Sequence, residues 1–111
     1  MKRFDIVLVN LDPSVGVEIR KTRPCLIVSP DEINVALQTI IVAPLTTTPP
    51  RTLPTRVPLK ATPKSGLSND SYAVLDQIKS VDRRRVVTEM GTISEHEKHL
   101  VTMVLLEMFA Y

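Results

Sequence analysis

Phe4-Asp5-Ile6-Val7-Leu8-Val9-Asn10 opens the chain as a strand. Phe4, Ile6 and Leu8 alternate with Asp5, Val7 and Val9, a period of two rich in β-branched residues, which crowd a helix but pack well on a pleated surface. Asn10-Leu11-Asp12-Pro13 ends it, since proline removes a backbone donor and aspartate favours a turn. A connection without a helical stripe then runs through Gly16 to Thr22, and loops of that length are uncommon in compact domains unless functional or mobile.

The same signals recur along the chain. Strands are predicted at 24–29, 39–43, 56–60, 71–78 and 86–93, the last weakened by Gly91, and a short helical turn follows Pro30 through Ala36. Pro44 suits an edge or a bulge better than a central strand. Residues 46–55, with Pro49, Pro50 and Pro54, read as a second flexible loop, and 61–70, with Pro63, Gly66 and Asn69-Asp70, as a turn region. The chain closes as a helix. Ser94 and Glu97 form a capping box, and Leu100, Val101, Val104, Leu105 and Met108 recur at helical spacing on one face. Met103 and Leu106 lie off that stripe, as extra core or as a subunit contact. Short strands, frequent turns and one terminal helix predict a mainly β single domain over 1–111 with a C-terminal α-helix, built as a small closed or half-closed β-barrel.

Composition bounds the function. The 111 residues suffice for one core, and no apolar stretch reaches the ~18 residues of a spanning helix. The N-terminus lacks the uninterrupted apolar region of a signal peptide, so a cytoplasmic protein with no membrane association is expected. Cys25 is the single cysteine, set in the apolar run Cys25-Leu26-Ile27-Val28, and reads as a core residue. With only His96 and His99 besides, a zinc site is poorly supplied, and no metal or cofactor is expected. The net charge of +2 is small but uneven: residues 1–64 carry nine Lys/Arg against five Asp/Glu, the remainder five against seven. The positives fall in loops (Arg20, Lys21 and Arg23; Arg51 and Arg56; Lys60 and Lys64), with Arg83-Arg84-Arg85 later. Converging on one face they would make a footprint for phosphates; taken singly they are solvated surface.

No standard catalytic signature occurs. Gly-x-x-x-x-Gly-Lys-Ser/Thr, Gly-x-Ser-x-Gly and His-Glu-x-x-His are all absent, and His96 and His99 fall in the first turns of the terminal helix, where they read as exposed. An enzyme of this composition would work with Arg, Thr, Ser, Asp, Glu and Gln.

Four segments in order resemble the MazF/PemK (Kid) toxin endoribonucleases of type II toxin–antitoxin systems: Asp12-Pro13-Ser14-Val15-Gly16-Val17-Glu18; Arg23-Pro24; Ala43-Pro44-Leu45-Thr46; and Asp76-Gln77-Ile78-Lys79-Ser80-Val81-Asp82. With the length and the terminal helix, the resemblance spans essentially the whole chain. It implies an SH3-like barrel of the CcdB/PemK type, a homodimer, a cognate antitoxin as partner, and metal-independent cleavage of single-stranded RNA in which the 2′-OH attacks the adjacent phosphorus. Inhibition of translation and growth would follow. Arg23 would fork onto phosphate oxygens, and Thr46 matches the family's catalytic threonine, with Thr47 and Thr48 beside it. Glu18 would act as base, orient the arginine, or simply be a solvated loop acid. Ser71, Asp76 and Gln77 match positions lining the RNA site, where glutamine suits a base edge and Asp76 would alternatively cap a turn. Thr47, Lys21 and Arg51 are further candidate RNA contacts. The chain departs from the PemK branch at Val17 and Val74, where that branch carries a histidine and an arginine; it fits the MazF-like subset, with its general base unassigned. Two other readings share the fold: a CcdB-like gyrase poison acting through the terminal helix, and an RNA-binding module without activity.

Overall fold

Among the described residues, seven strands form one antiparallel sheet with a long helix laid against it. The computed structural model describes residues 1–13, 16, 18, 21–50 and 52–111. In chain order the elements are β1 (Asp5–Asn10), β2 (Thr22–Ile27), α1 (Asp31–Ala36), β3 (Thr39–Thr46), β4 (Arg56–Leu59), β5 (Ser71–Val74), β6 (Lys79–Asp82), β7 (Val86–Thr92) and α2 (Glu95–Phe109), with 3₁₀ turns at Leu75–Gln77 and Arg83–Arg85. The strands run in the order β4-β5-β3-β2-β1-β7, and β6 joins β3 beside this path. The end strands β4 and β7 do not pair, so the sheet stays open, half-closed in the sense expected and not a closed barrel. The helix covers the open side, because Val101 belongs to the same buried cluster as Leu59 of β4, Ile6 of β1 and Ile93 just beyond β7.

Both faces of the central sheet are dry. Ile6, Leu26 and Ala43 point to the helix-covered cluster, while Val7, Val9, Cys25, Ile27, Ile40 and Val42 fill a second cluster behind it. That is why β1 is apolar almost continuously and not merely on alternate positions. At ~1.5–3 kcal/mol for each fully buried aliphatic side chain, these two layers dominate the favourable side of folding.

Two strand expectations are corrected. The predicted strand 71–78 ends at Val74, because Leu75–Gln77 turns as 3₁₀ and buries Leu75 on the way, its N–H donating to the Thr55 carbonyl at 3.1 Å. β6 then follows as a separate strand that the sequence reading missed. β3 runs on past Pro44 to Thr46. On one side it pairs with β6 over Thr39–Val42 and then with β5 from Leu45, so Pro44 falls at the seam between two partner strands, where a missing N–H costs no ladder bond.

The capping box forms as predicted: the Ser94 hydroxyl accepts from the Glu97 N–H at 3.2 Å and the Glu97 carboxylate from the Ser94 N–H at 2.9 Å. The second Glu97 oxygen accepts the Lys60 N–H at 2.8 Å and moors the helix to the end of β4. Met103 and Leu106 are not extra core: they are 66% and 67% exposed, as is Phe109 at 68%, because the cluster beneath α2 is a single stripe wide.

Gly91 sits where a Cβ would collide with the backbone of Lys64 and Ser65, whose Lys64 carbonyl accepts the Thr92 N–H at 3.0 Å. Gly91→Ala is therefore expected to destabilise by about 1–3 kcal/mol, as overpacking against rigid backbone does; an unchanged urea midpoint would contradict this packing.

Candidate functional site

Arg23 and Thr46 meet at one pocket. Arg23 lies on β2, paired with Val9 of β1, while Thr46 is the last residue of β3. They line a cavity of about 420 Å³ together with Thr47, Thr48, Ser68, Asn69, Ser71 and Met90. Arg23 is half-buried, and its Nη1 donates to the Leu45 carbonyl at 3.3 Å, which anchors the guanidinium to the pocket wall beside Thr46. A guanidinium carries five N–H donors in a planar fork. Thr46 is also half-buried. Its Oγ1 accepts the Thr48 N–H at 3.2 Å, which closes a small turn. Accepting with a lone pair leaves the hydroxyl proton to donate elsewhere and polarises it. Thr47 and Thr48 are exposed, so of the three threonines Thr46 is the one whose position the strand fixes. Ser71 is 6% exposed and donates to the Asn69 carbonyl at 2.9 Å.

The remaining candidates assemble next door. Glu18, Asp76, Gln77 and Lys79 line a second cavity of about 260 Å³ with Leu11 and Pro44. Glu18 and Lys79 face each other at 4.0 Å, half-exposed, a weak pair in water. Asp76 is tied into the fold: its Oδ1 accepts the Thr55 hydroxyl at 3.0 Å and stands 3.5 Å from the Arg56 Nε. That Nε is buried without a hydrogen bond, so Asp76 is its compensating charge and secures the start of β4 to the 3₁₀ turn. The two cavities share β3 in their walls, for Pro44 lines one and Leu45 and Thr46 the other. Lys21 lines neither; it is exposed, with a left-handed backbone whose N–H donates to Asp12. Arg51 lies outside the described residues, as do Val17 and Arg20.

Cys25 lies behind this surface. Burial pushes its thiol up to about 12, against the opposing pull of Arg23 and Lys79. Such a thiol stays protonated and packs; it is no nucleophile. His96 and His99 are exposed on α2, away from both cavities. Among the described residues no three His, Cys, Asp or Glu side chains gather as a metal site, and no helix is long and apolar enough to cross a membrane.

Residues 2–109 match the model of the PemK-like, MazF-like toxins of type II toxin–antitoxin systems. The chain belongs to this family. Among curated relatives it is 34% identical over 102 residues to the endoribonuclease MazF9 of Mycobacterium tuberculosis, covering 87% of this chain and 86% of that one. It is likewise 34% identical over 96 residues to the endoribonuclease EndoA of Bacillus subtilis, covering 86% and 82%. Among solved structures, a MazF from Deinococcus radiodurans superposes with a TM-score of 0.84 at 21% identity over 100% of this chain and 97% of that one. A Mycobacterium tuberculosis toxin, MazF-mt6, superposes with a TM-score of 0.78 at 26% identity over 95% of each. Membership of the MazF/PemK family favours the ribonuclease over the gyrase poison.

Several lining residues went unassigned in the sequence. Ser68 and Asn69 read only as part of a turn region, yet they line the same cavity as Arg23. Lys79 was quoted within a motif without a role; its nearness to Glu18 is a contact between distant segments that no local pattern announces.

Proposed function

We propose that this MazF/PemK toxin, an endoribonuclease by family, cuts single-stranded RNA without a metal, with Arg23 and Thr46 at the scissile phosphate. The observation that carries this reading is the shared cavity: a permanently charged fork and a polarised hydroxyl flank one space large enough for a phosphodiester. In the reaction the 2′-OH attacks phosphorus, its proton leaves to a base, and the 5′-oxygen departs with a proton. Arg23 stabilises the extra charge on the phosphorane, and the Thr46 hydroxyl donates to a phosphate oxygen. Each preorganised donor of this kind is worth ~10²–10³-fold. Ser71 and Thr47 contact the nucleotide in the same cavity. Gln77 and Asp76 offer base-edge partners in the second cavity, where Glu18 and Lys79 set the local charge. Lys21 and Arg51 are outer contacts to the strand. The general base has no assigned residue.

Incubation of the purified protein with single-stranded RNA in excess EDTA is expected to yield fragments with free 5′-hydroxyl ends. Intact RNA would overturn the ribonuclease reading, and cleavage only on adding a divalent ion would overturn its metal independence.

Inhibition of growth through mRNA cleavage, a cytoplasmic location and a cognate antitoxin follow from the same reading. A family neighbour at 20% identity was solved as an endoribonuclease with its cognate antitoxin, which supports that class of partner. Exposed Met103, Leu106 and Phe109 on α2, beside a groove lined by Phe4 and Leu105, support a homodimer. Light scattering is expected to give twice the chain mass, and a monomer at working concentration would refute the dimer.

A further inference from the structure

In the sequence Arg83-Arg84-Arg85 is a run of positive charge open to two readings, a phosphate footprint or solvated surface, but the fold gives all three protein partners. Arg83 Nη1 donates to the carbonyls of Asn34 at 2.6 Å and Leu37 at 3.4 Å, at the end of α1. Arg84 forks onto Asp82 at 3.1 and 3.0 Å. Arg85 Nη1 donates to the carbonyls of Asn10, at 3.2 Å, and Asp12.

We propose that Arg85 is a positioning residue of the nuclease site, its guanidinium clamping the Asn10–Asp12 foot of the β1–β2 loop, to which Lys21, two residues ahead of Arg23, is hydrogen-bonded. The β1–β7 ladder ends with Val9 opposite Val86, so beyond that pair β7 offers Asn10 and Asp12 no backbone partner. The Arg85 side chain, one residue before Val86, takes over there. The foot is closed from the other side as well. Asp12 Oδ1 accepts the Lys21 N–H at 3.0 Å, the Lys21 carbonyl accepts the Leu11 N–H at 3.1 Å, and Asn10 Oδ1 accepts the Asp12 N–H at 3.1 Å. Lys21 takes a φ of 71°, a conformation a non-glycine residue holds only when its surroundings enforce it. The bonds to Asp12 and Leu11 supply that enforcement, and Arg85 holds Asp12 in turn. The chain leaving Lys21 enters β2 and carries Arg23 into the first cavity, and the loop carries Glu18 into the second. A charge-assisted bond to two carbonyls thus fixes a backbone point from which both cavities are set, and a misplacement of about 1 Å in reacting groups costs of order 10²-fold. Both carbonyls accept from the single Nη1, so a lysine ammonium, which also carries several N–H donors on one nitrogen, keeps part of the clamp on a shorter reach.

This inference rests on the ribonuclease reading, so its test has one arm independent of activity. Amide hydrogen exchange without RNA is compared for the wild type, Arg85→Ala and Arg85→Lys. Arg85→Ala is expected to speed exchange of the Leu11 and Lys21 amides about 10-fold, as loss of a bond to a charged group implies, with β3 amides unchanged. In the second arm, RNA carrying the preferred cleavage sequence and a singly substituted analogue are cut over a range of salt. Arg85→Ala is expected to lose about 10-fold in kcat/KM on the preferred RNA and less on the analogue, so discrimination narrows, with Arg85→Lys in between. The salt dependence of KM stays that of the wild type. Unchanged exchange at Leu11 and Lys21, or full discrimination in Arg85→Ala, overturns the clamp. A salt slope reduced by about 0.7 also overturns it, because Arg85 would then touch phosphate directly. Intact RNA with the wild type instead overturns the ribonuclease reading, and the exchange arm keeps the two failures apart.

Discussion

Arg23→Ala is expected to lower RNA cleavage by at least ~10²–10³-fold while the protein keeps its fold. The guanidinium is half-buried at the wall of the cavity and bonds the Leu45 carbonyl, so its removal deprives that partly buried acceptor of its charged donor. That loss is worth about 1 kcal/mol of stability, a small part of the total. The catalytic loss is larger because a phosphorane gains charge as it forms, and only a donor already in place meets that charge without reorganisation. Arg23→Lys keeps the charge but not the fork, and should recover only part of the activity. Single-turnover rates on a short RNA, with circular dichroism melts beside them, separate the two effects. Turnover near the wild-type level in Arg23→Ala would remove Arg23 from the mechanism.

The strands and the terminal helix were legible because their signals are local. A period of two in β1, a capping box at Ser94 and Glu97, and proline at strand ends each act within a few residues. β6 was not legible for the same reason. Lys79-Ser80-Val81-Asp82 holds one apolar residue, and it becomes a strand only because β3 offers it an edge across Ile40–Val42. The exposed width of α2 stayed open between core and subunit contact, since Met103 and Leu106 look like core until the stripe beneath proves too narrow. At the site, Arg23 and Thr46 were named from motifs, but their shared cavity depends on β2 and β3 lying side by side. The division into two cavities, with Glu18 beside Lys79 and Asp76 serving Arg56, is wholly a matter of contacts between distant segments. The arginine run shows the converse. Its charge was plain, and what it binds could only be seen in three dimensions.

Thr46→Val is expected to reduce kcat by about 10²-fold with KM little changed, and Thr46→Ser to keep most of the activity. Valine preserves the β-branched shape that suits the end of β3, so the substitution removes the hydroxyl and little else. The Thr48 N–H loses its acceptor, but it is exposed and water replaces the bond. What water does not replace is a hydroxyl on the cavity wall that already accepts one amide and keeps its proton to donate. Thr47→Val serves as the comparison: Thr47 is exposed and contacts the nucleotide without a strand to fix it, so its loss should raise KM and leave kcat within about threefold of the wild type. Equal losses at Thr46 and Thr47 would mean that the loop as a whole, and not one aligned hydroxyl, meets the phosphate. A Thr46→Val variant as fast as the wild type would leave Arg23 to stabilise the phosphorane without this partner.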